Sequence, residues 1–232
     1  ALFDYDNNKE YRILIVGNDN NIYNLNKNGD QLEGWKYIKT TNQINKTPIH
    51  FVVNGRDYIL NATNNSTTKL LARNGSDRVI FNDLQFFSTP VNVSNKGMLY
   101  AITTEGKLWT GNTDGYTDTI DITNLYPSSL ILPYNDGYYI ANADSILYSK
   151  DENLNISLDS PVKQLNIFEE HIAVTTEKSL YLIKDNALIE GFPIRSSGLF
   201  NISDINNDNK SNLLNIKGNS LYNYELSDYL GR

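Results

Sequence analysis

Asp204, Asn206, Asp208 and Asn212 stand at positions 1, 3, 5 and 9 of one short polar stretch. Alternate spacing of this kind lets a tight loop aim successive side-chain oxygens inward. A hard cation such as Ca²⁺ collects roughly six to eight such oxygens from carboxylates, amides and main-chain carbonyls. The carbonyl of Lys210, at position 7, adds one more ligand. Ca²⁺ is therefore the candidate cofactor, held by Asp204, Asn206, Asp208, Lys210 and Asn212. Only two of these side chains are carboxylates, which predicts weak binding. The same residues also suit an Asx turn, where side-chain oxygens take main-chain N–H groups and no ion is needed.

A second stretch repeats the pattern with one change. Asp4, Asp6 and Asn8 match positions 1, 3 and 5, but Arg12 occupies position 9. A guanidinium there can bridge two carboxylates with charge-assisted bonds. The expectation is that Arg12 replaces a cation by bridging Asp4 and Asp6.

Other chemistry-bearing residues form no recognisable set. The two histidines, His50 and His171, sit in separate apolar strand contexts, with no carboxylate or nucleophile nameable beside either. They read as structural. The chain has no Cys, which excludes disulfides, thiolate zinc sites and Cys nucleophiles. Arg12, Arg56, Arg73, Arg78, Arg195 and Arg232 do not cluster locally. Asp114-Gly115 reads as a hairpin turn. Trp35 and Trp109 have two readings, a platform for sugars or a wedge between neighbouring sheets. The chain is accordingly expected to be non-catalytic. Asn-x-Ser/Thr sequons at Asn61, Asn74, Asn92 and Asn201 are expected by chance in so Asn-rich a chain.

Formal net charge is −7 and the pI is 4.8, with no dense Lys/Arg run. Nucleic acid and anionic membranes want a basic face, so both are excluded as partners. No apolar run approaches the ~20 residues of a membrane helix. No secretory signal is visible, and the chain opens at Ala1 inside a repeat, so it is expected to be part of a longer, processed protein.

Positioning falls to short strands. An apolar pair recurs after a polar turn: Ile22-Tyr23, Leu70-Leu71, Leu108-Trp109, Leu147-Tyr148, Leu180-Tyr181 and Leu221-Tyr222. A period of about 40 residues means a solenoid, a propeller or an array. The chain is rich in Asn (34) and Tyr (16), residues of tight turns and half-buried strands. Each repeat reads as about four strands. In the first these include Tyr11 to Val16, Ile22 to Leu25 and Leu32 to Ile38, punctuated by Asn28-Gly29. Later hairpins turn at an Asn-Ser-Thr stretch, at Glu105-Gly106, at Glu177-Lys178 and at Lys217-Gly218-Asn219. No stretch keeps a helical period. The predicted fold is all-β: a single β-propeller domain over residues 1–232 with about six four-stranded blades, or part of a seven- or eight-bladed ring.

Residues 3–15 (Phe-Asp-Tyr-Asp-Asn-Asn-Lys-Glu-Tyr-Arg-Ile-Leu-Ile) and 200–214 (Phe-Asn-Ile-Ser-Asp-Ile-Asn-Asn-Asp-Asn-Lys-Ser-Asn-Leu-Leu) resemble the start of FG-GAP/VCBS-type propeller repeats. Residues 20–30 resemble PQQ-like repeats. Gly191-Phe192-Pro193-Ile194 echoes Leu32-Glu33-Gly34-Trp35 as an outer strand. The Asn-, Tyr- and Lys-rich style resembles envelope propellers of Bacteroidota-type bacteria. In the FG-GAP family the metal loop usually ends in Asp and often has Gly at position 6, where Asn212 and Asn209 stand here. The resemblance implies an extracytoplasmic scaffold (periplasmic, outer-membrane-associated or on the cell surface) that binds other envelope proteins. Glycans are the alternative ligand and an enzyme domain the third reading, since propellers host many roles.

Overall fold

Short apolar runs bounded by Asn, Asp and Gly become strands, because β-branched and aromatic side chains fill a pleated surface while the bounding residues accept turn geometry. The computed structural model describes residues 1–41, 44, 47–62, 68–81, 86–134, 137–142, 146–149, 155–168, 171–185 and 187–226. The Asn-Ser-Thr turn at 65–67 and Arg232 lie outside the described residues. The chain divides into two compact units, Ala1–Pro127 and Ser128–Arg232.

The first unit holds three antiparallel sheets, each running up and down in chain order. They are β1 (Leu2–Phe3), β2 (Arg12–Val16) and β3 (Ile22–Leu25); β4 (Ile49–Val53), β5 (Arg56–Ala62), β6 (Thr68–Leu71) and β7 (Asp77–Ile80); and β8 (Asn92–Val93), β9 (Leu99–Ile102), β10 (Leu108–Gly111) and β11 (Thr117–Ile120). The second unit holds three more. The fourth sheet is β12 (Leu130–Tyr134), β13 (Gly137–Ala141), β14 (Ile146–Ser149) and β15 (Asn155–Ser157). The fifth is β16 (Gln164–Phe168), β17 (His171–Thr175), β18 (Ser179–Lys184) and β19 (Ala187–Leu188), with β20 (Ile194–Arg195) also on β18. The sixth is β21 (Phe200–Ser203), β22 (Asn212–Lys217) and β23 (Ser220–Glu225).

Such meanders are propeller blades. Four of them carry a full fourth strand, and in the first the single bridge Leu25↔Gln31 stands in its place. Five blades therefore follow the four-stranded plan, while the sixth sheet has three strands among the described residues. The expected count of about six four-stranded blades is corrected to that extent.

The expected strand over Leu32 to Ile38 is also absent. Gly34 adopts a left-handed φ of 74° and breaks the extended run. Trp35 then turns inward, its Nε1–H donating to the Ile22 carbonyl at 2.7 Å. Lys36 N–H bonds the Asn74 carbonyl at 2.7 Å, so the segment crosses to the second sheet. The echoing Gly191-Phe192 behaves alike up to a point. Gly191 has φ 89° and Phe192 is buried, but Ile194 and Arg195 go on to pair with β18 as an outer strand.

Asparagine builds the turns. The amide oxygen of Asn26 accepts the N–H groups of Asn28 and Asp30, and that of Asn112 accepts those of Asp114 and Tyr116. Asp114-Gly115 is thus the hairpin turn expected. Cores lie between successive sheets of a unit. Leu14 and Ile22 pack with Ile59 and Leu71, and Ala173, Leu180 and Leu182 pack with Leu213. Trp109, 1% exposed, sits among Tyr58, Leu70 and Leu99, with Phe81 edge-on at 5.6 Å and Phe87 at 5.1 Å. It wedges two sheets and offers no sugar platform.

Candidate functional site

The Asp204 loop joins β21 to β22. Asp204 Oδ1 accepts Asp208 N–H at 3.2 Å and Oδ2 accepts Asn209 N–H at 2.8 Å. Asp208 Oδ1 accepts Lys210 N–H at 2.9 Å, and the Asn206 amide donates to Asp208 Oδ2 at 2.8 Å. Asn212, buried at the start of β22, accepts Ile205 N–H at 3.2 Å. The five residues named from sequence do meet in one loop. Their donor set closes on itself, however, with Asn206 presenting N–H rather than oxygen to Asp208. This arrangement fits a self-capped Asx loop better than a calcium cage, which needs those oxygens turned inward. Among the described residues no three His, Cys, Asp or Glu groups gather as metal ligands.

The Asp4 loop joins β1 to β2 and is built the same way. Asp4 accepts N–H groups from Asp6 and Asn8 on Oδ1 and from Lys9 on Oδ2, at 3.3, 3.2 and 2.6 Å. Desolvation in the loop raises the Asp4 pKa, but bonds from Lys9, Asn8, Asp6 and Asn7 outweigh it and hold the carboxyl below the usual range. Left-handed residues fall at matching places, Asn7 and Lys9 here and Asn207 and Asn209 there. Asparagine adopts that conformation more readily than most residues.

Arg12 does not bridge Asp4 and Asp6. Its Nη1–H groups fold back on the two residues that precede β2, donating to the Glu10 and Tyr11 carbonyls at 2.9 and 3.3 Å. The Asp4 oxygens are already filled by main chain, and Asp6 is taken by Arg73 from the β6–β7 turn at 2.8 Å. Arg73 also reaches Asp57 at 3.0 Å and lies over the Tyr5 ring at 4.5 Å. Burial alone would lower the Arg73 pKa, but the Asp6 and Asp57 carboxylates reverse that and raise it.

Asp57 faces His50 as well, at 2.8 Å, and Phe3 stacks on the imidazole at 4.8 Å. His50 thus has the carboxylate partner that sequence did not supply. The signal was present in the hairpin. His50 pairs with Ile59 and Val52 with Asp57, so His50 and Asp57 are diagonal neighbours on one face. His171 is 3% exposed on β17, whose five residues are all buried.

Sequence reading missed two further features. Asp159 gathers hydroxyls from Thr176 at 2.6 Å, from Ser179 and from Ser160, while the Tyr181 hydroxyl accepts its N–H at 2.9 Å. Desolvation pushes the Asp159 carboxyl up, and the Ser179, Thr176 and Ser160 hydroxyls more than compensate, leaving it low. The other feature is a cavity of about 290 Å³ where the Asp4 loop, β3, the 32–35 segment and the β6–β7 turn meet. Tyr5, Arg12, Asn24 and Trp35 line it, and its rim carries Glu33 and the Asp6–Arg73 pair. Asn24 is an inward position of β3 that alternation would give to an apolar residue.

No protein-family profile matches the chain, and no curated protein matches it in sequence. Solved structures do match in fold. BBS1N, in a crystal structure with ARL6DN, matches over 99% of this chain and 78% of that one, at 12% identity and a TM-score of 0.64. BamB from Moraxella catarrhalis matches over 91% of this chain and 68% of that one, at 15% identity and a TM-score of 0.55. PorZ from Porphyromonas gingivalis, described as a bacterial surface component of the type-IX secretion system, matches over 97% of this chain and 32% of that one. Its identity is 13% and its TM-score 0.59, so the present chain spans about a third of PorZ. At these identities the likeness concerns the fold, which is a β-propeller.

Proposed function

We propose that this chain is a non-catalytic β-propeller scaffold that docks a partner protein in a bacterial cell-envelope or cell-surface complex. The observation that carries the reading is an apolar row across the last sheet. The Leu199 carbonyl accepts Ile216 N–H, and Ile216 stands opposite Leu221. Leu199 is 62% exposed and Leu221 65%. Asn201, Leu214 and Asn223 form the next row on the same face. Contiguous exposed apolar side chains with a polar border mark interaction surfaces.

Two neighbours in fold support the reading. BBS1N is seen in complex with ARL6DN, and PorZ is described as part of a bacterial secretion system. The best-connected titratable groups also serve as structural ties: Asp159 is filled by hydroxyls, and Asp57 is held between His50 and Arg73. Low-affinity Ca²⁺ binding at Asp204 stays part of this proposal as an accessory.

The test is affinity capture from native envelopes with wild-type chain and with Leu199→Asp/Leu221→Asp. A stoichiometric partner held by the first and lost by the second supports the proposal, provided both melt alike. Capture of nothing, or of a partner the double variant retains, overturns it.

A further inference from the structure

The cavity between the first two sheets carries an inference that does not depend on the docking face. Asn24 is 1% exposed and lines the cavity, and its Oδ1 has no hydrogen-bond partner among the described residues. Tyr5 lines it too, and its buried hydroxyl is equally unpartnered. Buried polar atoms without partners are costly and rare in native structures. Three other buried asparagines each make one side-chain bond, although the Oδ1 atoms of Asn61 and Asn215 are unpartnered like that of Asn24. Asn61 donates to Tyr37 Oη, Asn215 donates to the Arg195 carbonyl, and Asn142 accepts from Ser129. Asn24 differs in that none of the side-chain bonds among the described residues reaches it, and it borders the cavity.

The lining selects the occupant. Asp6 and Glu33 oppose Arg12 and Arg73, so the charges cancel and favour neither an anion nor a cation. The unpartnered Asn24 Oδ1 needs a donor. Arg12 offers donors of its own, with only Nη1 engaged, and Glu33 offers acceptors. A neutral ligand must therefore donate and accept at several closely spaced points, as hydroxyl groups do. Trp35 adds a flat apolar wall. Its ring is fixed by the Nε1–H bond to Ile22 and by Gly75, on which an added Cβ would lie 2.9 Å from the ring. Pre-set aromatic and polar groups of this kind lower the ordering cost of binding. At about 290 Å³ the space falls just below the ~300–1,000 Å³ of small-molecule sites, room for a single small ring.

We infer that this cavity is a binding site for a neutral sugar ring. The ring stacks on Trp35 and its hydroxyls satisfy Asn24, Tyr5, Arg12 and Glu33. Burial and the Asp57 charge hold the Tyr5 phenol above its ordinary pKa, against the opposing pull of Arg73 and Arg12, so it stays a neutral hydroxyl.

The experiment is a tryptophan-fluorescence titration of the whole chain with glucose, galactose, mannose and N-acetylglucosamine. Glucuronate, glucosamine and acetyl-asparagine amide serve as the anionic, cationic and peptide-amide probes. A saturable change with at least one neutral sugar is expected, and weaker binding of both charged ones. Asn24→Leu keeps the shape and removes the unpartnered amide, so its midpoint of unfolding holds or rises while affinity falls by about tenfold or more. Glu33→Gln, at the rim, weakens binding several-fold with no change in melting. No saturable binding by any neutral sugar overturns the inference, as do preference for the amide or a charged probe and Asn24→Leu binding as wild type. The Leu199→Asp/Leu221→Asp variant keeps its sugar affinity, so the two proposals fail separately.

Discussion

The ammonium of Lys210 lies 2.6 Å from the carboxylate of Glu225. At the same place in the first sheet's loop, Glu10 lies 2.7 Å from Lys27, with the charges exchanged. Each loop opens on an aspartate that accepts main-chain N–H groups and turns through left-handed residues at matching positions. Each is then tied near its third strand by one ion pair. The geometry is kept while the sign is free, as expected when the tie is a contact between exposed side chains.

That freedom makes the ties exchangeable. Lys210→Glu alone places two carboxylates together and costs under about 1 kcal/mol, because Lys210 is exposed, Glu225 is partly exposed, and solvent screens the pair. Glu225→Lys added to it restores the pair in the Glu10–Lys27 order. A double-mutant cycle on the denaturant midpoint is expected to return the double variant to wild type. Additive losses would show that the pair is not what ties the loop.

The Asp4 loop loosens in acid. Its carboxyl is held below its ordinary pKa by N–H donors, so the folded state favours the charged form. That contribution is complete above the unfolded carboxylate pKa of about 3.9 and is lost as pH falls through the lower folded value. Hydrogen exchange at the amides of Asn8 and Lys9, referenced to intrinsic rates, should stay slow at neutral pH and lose protection only in strong acid. Asp4→Asn should remove that dependence. Protection already lost near neutral pH would point to a different cause.

Calcium gives a small response at most. The Asp204 and Asp208 oxygens are occupied by N–H groups, and an ion must displace the Asn206–Asp208 bond to enter. Millimolar Ca²⁺ against a chelator should move the melting temperature by no more than about 1–2 °C, as mass action gives for a weak site. A larger rise that Asp204→Asn abolishes would establish a calcium cage.

Much of the fold was legible because turn chemistry here is local. Asn26 and Asn112 cap their own hairpins, and the apolar pair Leu108-Trp109 lands on a strand as its period requires. The Leu32 to Ile38 segment was misread because its apolar residues suit a strand, while Gly34 and the Trp35 contact with Ile22 are decided by tertiary packing. The site was legible only in part. Residues close in sequence, Asp204 to Asn212, were found together. The Arg73 clamp on Asp6 and Asp57 spans residues 67 and 16 positions apart, and no local pattern encodes it. Asn24 carried a faint signal, being a polar residue at an inward strand position.

Trp35 supplies a last, sharper expectation. Gly75 and Gly29 both adopt left-handed φ, 84° and 89°, which an alanine tolerates poorly. An added Cβ at Gly29 meets nothing within 4 Å, whereas at Gly75 it lies 2.9 Å from the Trp35 ring. That ring cannot swing aside without losing its 2.7 Å bond to the Ile22 carbonyl. Gly29→Ala therefore reports backbone strain alone, about 1 kcal/mol, and Gly75→Ala adds the clash for a total of roughly 2–3 kcal/mol. The Trp35 indole N–H resonance should shift in Gly75→Ala and hold still in Gly29→Ala. Equal destabilisation with an unmoved indole signal would mean that the ring does not rest on Gly75, and the wall of the sugar cavity would have to be redrawn.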